Sequence, residues 1–428
     1  MDIFQPNLFS DRSITLEYIL RKDNNWEQFK SLYGNKLRSV IIKEVEKMLN
    51  CCKPKSGFAT FICLNCGKTK IVPFTCKSRI CSRCGKKYAD IWSNEINQKL
   101  LNVIHRHFVL TTPDLLWPYF ENNYQLQKLL MDTAGKTIKR ALCQQNKKKL
   151  KITPGLILVI HPFGDDLKLN FHVHILGTAG GLSNQNEWVN LEYIDYSVLR
   201  KIWQYDILTA LRKTLPQDQK LNKLIDWYFT NYKNGFVIFA EREISGDKYS
   251  VIRYIARYMR HPAISNRRIV SYDGEYVYFI YEQYDKTFQK KLPKFEFIYS
   301  VVRHIPDKQF KTVRRQGLYA RRSSSKYQIA NELFSPAPKN TKFPEFNWRE
   351  NILKFTGKDP VSCDKCGEEM ELFKITYYDG TEYKTIGGWE WLEKRGVINH
   401  VQDIQIQKIK EQTKQFNTDY QWSQLYLR

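Results

Sequence analysis

Six residues, Phe171-His172-Val173-His174-Ile175-Leu176, limit the folds open to this chain more than any other stretch. The run is short, apolar and rich in β-formers, which predicts a buried strand. Side chains alternate along a strand, so His172 and His174 point to one face. Upstream, Leu156-Ile157-Leu158-Val159-Ile160 is a second apolar run entered through Pro154-Gly155, and Pro162-Phe163-Gly164-Asp165-Asp166 is a turn-rich link between the two. A hairpin follows, and it places His161 beside the pair. Neutral imidazole serves Mg²⁺-like or Mn²⁺-like ions when carboxylate, amide or water completes the shell, and two histidines leave positions open for a phosphate oxygen. His161 is the candidate third ligand, with Glu241 and Glu243, which alternate on a later strand-like run, as rivals. The plainer alternative is a hydrogen-bonded pair that only packs.

About eighty residues further on, Tyr254-Ile255-Ala256-Arg257-Tyr258 spaces two phenols by four. Ser245-Gly246-Asp247 starts a helix there and Pro262 ends it, for a length of roughly fourteen residues. At about 100° per residue, Tyr254 and Tyr258 share one ridge, and Arg253, Arg257 and Arg260 share the adjoining one. A phenol has a reference pKa near 10, so a nucleophilic role needs neighbouring cations or a metal-bound phosphate to favour the phenolate. The bland alternative is packing, with Ile252, Ile255 and Met259 completing a core stripe.

The formal net charge of +24, from 68 basic against 44 acidic residues, implies a polyanionic partner. Nucleic acid fits better than a membrane. No apolar run approaches the roughly twenty residues that span a bilayer, and Met1-Asp2-Ile3-Phe4-Gln5-Pro6 lacks the form of a secretion signal, so the expected location is the cytoplasm. An aromatic content of 14% suits base stacking as well as core packing.

Ten cysteines in such a chain point to metal or redox chemistry before disulfides. Cys63-Leu-Asn-Cys66 and Cys81-Ser-Arg-Cys84 form two knuckles separated by fourteen residues, one short of the usual range for a four-cysteine zinc site. Structural Zn²⁺ on Cys63, Cys66, Cys81 and Cys84 is the expectation, with Cys76 and Cys52 as further ligand candidates; Cys76 between the knuckles and Cys51-Cys52 just upstream leave open a second ion or an exchange of ligands. The seven cations Lys68, Lys70, Lys77, Arg79, Arg83, Lys86 and Lys87, with no acidic residue among them, make this module a candidate DNA clamp. A zinc-pinned scaffold with a solvated basic face is the alternative. Cys363-Asp-Lys-Cys366 has no partner knuckle in sequence and reads as half a zinc site or a remnant turn.

Along the chain, residues 13–50 read as amphipathic helix, 87–104 and 124–149 as helix, and His107 to Pro113 as a strand stopped by proline. Residues 197–230 read as helix and Gly235 to Ala240 as a strand. From Ile269 to about Phe297 a hairpin is expected around Asp273-Gly274, with a type I′ turn. Arg314 to Arg322 is a basic segment, either a phosphate-tracking strand or an exit linker. The fold class is α+β. The expected domains are 1–104, helical and zinc-binding; 105–325, catalytic; and 326–428, accessory.

Taken in order, these motifs resemble the HUH-class rolling-circle transposases of bacterial insertion sequences, IS91 type, from about Cys52 to Arg322. The cysteine module resembles the family's zinc-binding domain, and Phe108 to Pro113 its first strand motif. His161-Pro-Phe-Gly with Asn170-Phe-His-Val-His-Ile-Leu and Gly180-Gly181 resembles the metal motif. Arg253-Tyr-Ile-Ala-Arg-Tyr with His261-Pro-Ala-Ile-Ser-Asn-Arg-Arg268 resembles the tyrosine motif and its tail. The resemblance implies an antiparallel-sheet HUH endonuclease core, ferredoxin/RRM-like, in which His172 and His174 hold Mg²⁺ or Mn²⁺ and Tyr254 or Tyr258 attacks single-stranded DNA. It leaves the third ligand and the oligomeric state open.

Single-stranded DNA at transposon ends and target is the implied partner, held by Arg79, Arg83, Lys86, Lys87, Arg253, Arg257, Arg267, Arg268, Arg314 and Arg315. With no helicase-like phosphate loop, strand separation falls to host replication or helicase machinery. The implied setting is the bacterial cytoplasm, at the nucleoid. A plasmid or phage replication initiator or relaxase would use the same core, and a non-enzymatic zinc-dependent DNA-binding protein is the rival of another class.

Overall fold

The computed structural model describes residues 14–97, 99–145, 151–191, 193–240, 263–283, 286–334, 349–350, 352–353, 357–398 and 404–413. Its first strands are β1 (Phe58–Ile62), β2 (Thr69–Pro73), β3 (His105–Thr111), β4 (Ile152–Thr153), β5 (Gly155–Phe163), β6 (Leu169–Thr178), β7 (Gly180–Ser183) and β8 (Trp188–Asn190). Then come β9 (Ile238–Ala240), β10 (Ile269–Tyr272), β11 (Tyr276–Gln283), β12 (Lys286–Pro293), β13 (Val313–Gly317), β14 (Glu371–Tyr378) and β15 (Tyr383–Gly387). Helices intervene, and the fold is α+β as expected.

Contacts divide the chain into two units, Met1–Glu44 with Tyr88–Lys342, and Val45–Lys87 with Phe343–Arg428. The linear division at 104 and 325 is therefore not the division of contacts. The cysteine module and the C-terminal region, expected as separate domains, share a unit because β1 pairs antiparallel with β14. Its sheet runs β15-β14-β1-β2.

In the larger unit, five strands form a wholly antiparallel sheet in the order β13-β5-β6-β3-β9. The hairpin read from the two apolar runs is β5 and β6, closed where Gly164 N–H donates to Lys168 O at 3.0 Å and Asp166 Oδ1 accepts from Lys168 N–H at 3.1 Å. Alternation sorts β6 cleanly. Phe171, Val173 and Ile175 enter a core with residues of the helices Tyr124–Gln145 and Tyr196–Thr214. Leu176, on the opposite face with His172 and His174, packs against Ile157, Val159 and Leu318. Both faces are covered, which is why the strand reads as a continuous apolar run rather than an alternating one.

Backbone chemistry breaks several expected elements. The N-terminal helix is three, Leu16–Arg21, Asn25–Tyr33 and Ser39–Leu49, interrupted where Asp23 and Asn24 take φ of 50° and 55° and Gly34 takes 42°. The 197–230 helix is two, Tyr196–Thr214 and Gln219–Asn231; Pro216 lies between them, and the Asp218 carboxylate caps the second by accepting from Leu221 N–H at 2.9 Å. The Asp273-Gly274 hairpin forms between β10 and β11, but Asp273 keeps negative φ, so the turn is not type I′. Its carboxylate instead accepts from the N–H groups of Glu275 and Tyr276 at 2.9 and 2.7 Å. β12 adds a third strand, and residues 294–302 are helix rather than hairpin. The tyrosine helix expected before Pro262 lies outside the described residues.

Candidate functional site

β5 and β6 set His161 directly opposite His172, with His174 opposite Val159 on the same face. The ligand nitrogens of His161, His172 and His174 all lie within 4.8 Å of one another. His172 Nδ1–H donates to Asn170 O at 2.7 Å, which leaves Nε2 with the lone pair. That Nε2 faces His174 Nε2 at 3.0 Å. Two cis ligands of an octahedral ion, each about 2.1 Å from it, stand about 3.0 Å apart, so the nitrogen pair fits a divalent cation of the Mg²⁺ or Mn²⁺ kind. Burial pushes the His172 imidazole down to about 4 and holds His174 well below the usual value, so both are neutral donors near pH 7.

Sequence reasoning missed His107. It sits on β3 opposite Leu176, fully buried, with Nε2 at 3.0 Å from His174 Nδ1. Burial first, and then the neighbouring His172, push its pKa down to about 4. A neutral His107 can accept the Nδ1–H of His174, which frees His174 Nε2 for a cation. The signal was the alternation His105-Arg106-His107, but only the register of β3 on β6 gives it meaning.

The histidines open into a cleft of about 810 Å³ whose other wall includes Ala263, Ser265, Arg267, Arg268 and Tyr281. Arg267 is exposed there. Arg268 is tied down, its Nε–H donating to Ile280 O at 2.9 Å and its guanidinium reaching Asp165 O. Tyr254, Tyr258, Arg253 and Arg257, with the rival ligands Glu241 and Glu243, lie outside the described residues. Ala240 ends β9, which pairs with β3, and Ala263 lies in the cleft wall.

Arg314 and Arg315 lie on the edge strand β13, so their segment is a strand and not a linker. They line a second cleft, of about 970 Å³, with Lys136, Lys139, Lys311, Arg321 and Arg322. Arg314 is paired with Asp132 at 2.9 Å. Arg79 and Lys87 are half-buried in the smaller unit; the side chains of Arg83 and Lys86 fall outside the described ones.

The cysteines group differently from the expected Cys63, Cys66, Cys81 and Cys84. Cys81 and Cys84 join Cys51 and Cys76, and Cys63 and Cys66 join Cys363 and Cys366. The knuckles at 63 and 81 find different partners because β1 and β2 carry the first away toward β14. Cys76, a further candidate, is a member of its set; Cys52 is not, its sulfur lying 3.9 Å from that of Cys51. In the Cys51 set, the sulfur of Cys84 lies 3.7 Å from that of Cys51 and 3.5 Å from that of Cys76, the sulfurs of Cys51 and Cys81 are 3.7 Å apart, and all four lie within 4.8 Å of one another. A tetrahedral Zn²⁺ with bonds of about 2.3 Å has edges of about 3.8 Å, so the set fits zinc.

Residues 155–326, which carry β5, β6 and the histidine triad, match the family described as “Putative transposase”, and residues 22–112 match the one described as “Transposase zinc-binding domain”. Together the two matches place the chain in the class of transposases. Within that class, the chain belongs to the IS91 family of insertion-sequence transposases with an N-terminal zinc-binding domain. The transposase for insertion sequence element IS801 of Pseudomonas savastanoi pv. phaseolicola is 29% identical over 353 residues, 78% of this chain and 83% of that protein. “Putative transposase y4qJ” of Sinorhizobium fredii is 25% identical over 342 residues, 74% and 84% respectively. No solved structure matches the chain. Among the described residues, no helix is long and apolar enough to cross a membrane.

Proposed function

We propose that this transposase nicks and rejoins single-stranded DNA through a 5′-phosphotyrosine intermediate in rolling-circle transposition, with Tyr254 and Tyr258 as nucleophiles. The observation that carries the reading is the convergence of His161, His172 and His174 on an open cleft beside the exposed Arg267. These three histidines would hold the catalytic Mg²⁺ or Mn²⁺. When bound, the ion polarises a phosphate oxygen and offsets the charge that develops there.

The protein's own groups do the rest. The Asn170 carbonyl and His107 fix which imidazole nitrogens face the cleft. Arg267 holds a phosphate of the bound strand. A tyrosine phenolate oxygen attacks phosphorus, the bond from phosphorus to the 3′ oxygen breaks, and that oxygen takes up a proton to leave as a 3′-OH. The enzyme stays joined to the 5′ phosphate. In the reverse step an incoming 3′-OH attacks the same phosphorus, the tyrosine–phosphorus bond breaks, and the phenol oxygen regains a proton. No ATP is consumed, and two tyrosines can hold two strands at once. Residues 105–325 carry this chemistry. Arg79, Arg83, Lys86 and Lys87 of the zinc module grip the DNA backbone, as do Arg314 and Arg315, and host machinery separates the strands.

The test incubates labelled single strands bearing the element's ends with the protein and Mn²⁺, followed by denaturing electrophoresis. A covalent adduct is expected from the native chain. Tyr254→Phe combined with Tyr258→Phe is expected to bind DNA yet give none. An adduct that survives the double substitution, or none from the native chain across the end sequences tried, overturns the reading.

A further inference from the structure

Cys363 and Cys366 lie far outside the residues matched to the zinc-binding family, and Cys366 is 303 residues from the cysteine it touches, Cys63. The two knuckles are built alike. In Cys63-Leu-Asn-Cys66-Gly67-Lys68, Cys63 N–H donates to Lys68 O and Gly67 N–H to Cys63 O, both at 2.9 Å. In Cys363-Asp-Lys-Cys366-Gly367-Glu368, Cys363 N–H donates to Glu368 O at 2.8 Å and Gly367 N–H to Cys363 O at 2.9 Å. Gly67 and Gly367 take φ of 72° and 78°, a region that glycine enters freely. Each turn thus aims two sulfurs inward, and the two turns face each other.

The sulfurs of Cys63 and Cys366 are 3.5 Å apart, those of Cys66 and Cys363 3.6 Å, and those of Cys66 and Cys366 3.7 Å. Near-equal separations close to the edge of a ZnS₄ tetrahedron, about 3.8 Å, describe four ligands of one ion rather than two separate thiol pairs. The surroundings agree. Lys365 N–H donates to Cys363 Sγ at 3.5 Å. The ammonium of Lys70, on β2, donates to the carbonyls of Asp359 and Ser362 and to the Asp364 carboxylate, all at 3.0 Å, and so ties the second knuckle to the strand beside the first. The apolar cluster around the knuckles is small, with Ala59, Phe61, Val361 and Met370 beside the buried Cys63 and Cys363, so a cross-link here adds to the packing that holds the two segments together.

We infer that Cys63, Cys66, Cys363 and Cys366 hold a second structural zinc ion, which fastens the C-terminal strand β14 to β1 and so closes a unit built from two distant segments of the chain. The ion draws half its ligands from each segment, and neither segment alone completes the site.

Metal analysis of the full-length chain, purified under reducing conditions, tests this independently of DNA nicking. Two zinc ions per chain are expected, falling to one in the Cys363→Ser, Cys366→Ser double variant, which leaves the Cys51 set intact. One zinc in the native chain, two in the double variant, or iron in place of the second zinc overturns the inference. A second measurement on the native chain covers the case of a variant that does not fold: alkylation of the zinc-loaded protein, read by mass spectrometry. Cys63, Cys66, Cys363 and Cys366 are expected to be protected together and to become reactive together on chelation. Alkylation of Cys363 and Cys366 while zinc is bound, or a disulfide joining the two knuckles in the fresh protein, overturns it.

Discussion

The nearest partner of His174 Nδ1 is a residue that does not line the cleft. His107 Nε2, 3.0 Å from His174 Nδ1, is in place to accept its N–H and leave Nε2 for the cation. His107→Ala is expected to weaken Mn²⁺ binding about 10- to 100-fold, with His107→Gln intermediate, as read by calorimetric titration or by Mn²⁺ paramagnetic resonance. A purely structural role would lower thermal stability without moving the affinity of the folded protein. Acid sensitivity follows from the same burial. His107 and His172 are held down to about 4, and His304, whose Nε2 is sealed from water although the residue keeps some exposure, is held to about 3 by desolvation and then by Arg303. The unfolded chain binds these protons near 6.5 and the folded chain does not, so the stability contribution is full above about 6.5 and is lost as the pH falls toward 4. Urea midpoints measured without Mg²⁺ or Mn²⁺ should fall between pH 7.5 and 5, and His304→Phe should flatten that slope; an unchanged slope would assign the protons elsewhere.

β13 shows what an edge strand can do for a polyanion. Its last residue, Gly317, takes φ of 60°, and a Cβ there would meet Pro154 O at 1.7 Å. Gly317→Ala should cost more than about 1 kcal/mol in denaturant unfolding, because the left-handed conformation alone carries that penalty for other residues. The strand brings Arg315 into a cleft with Lys139 and Arg322. If each contacts one phosphate, the triple change to glutamine should reduce the salt dependence of single-strand binding by about 0.7 per lost contact; an unchanged slope would exclude this cleft from the DNA path. The strands that position the histidines were legible because β5 and β6 are short apolar runs bounded by turn residues. The role of β13 was not, since Val313-Arg-Arg-Gln-Gly317 has no apolar alternation and becomes a strand only through its ladder to β5. The same limit hid His107, whose partner is set by register rather than by spacing.

The cysteine spacing that reads as one four-ligand site resolves into two because pairing between distant segments overrides proximity along the chain. Cys363 and Cys366 were readable as a knuckle, but their partners, some three hundred residues earlier, could not be inferred from order alone. Stripping zinc with a strong chelator should disorder the smaller unit and weaken DNA binding while leaving the amide-exchange protection of β3, β5 and β6 in place; loss of protection throughout would mean that the two units fold as one. The pairing of β1 with β14 also sets a timetable during synthesis. At about 5 to 20 residues per second, the 303 residues from Cys63 to Cys366 take roughly 15 to 60 seconds to emerge. Through that interval β1 waits with one edge uncovered and its cysteines half-matched, so a ribosome that stops early releases a chain with an open strand edge, a surface for chaperones to cover.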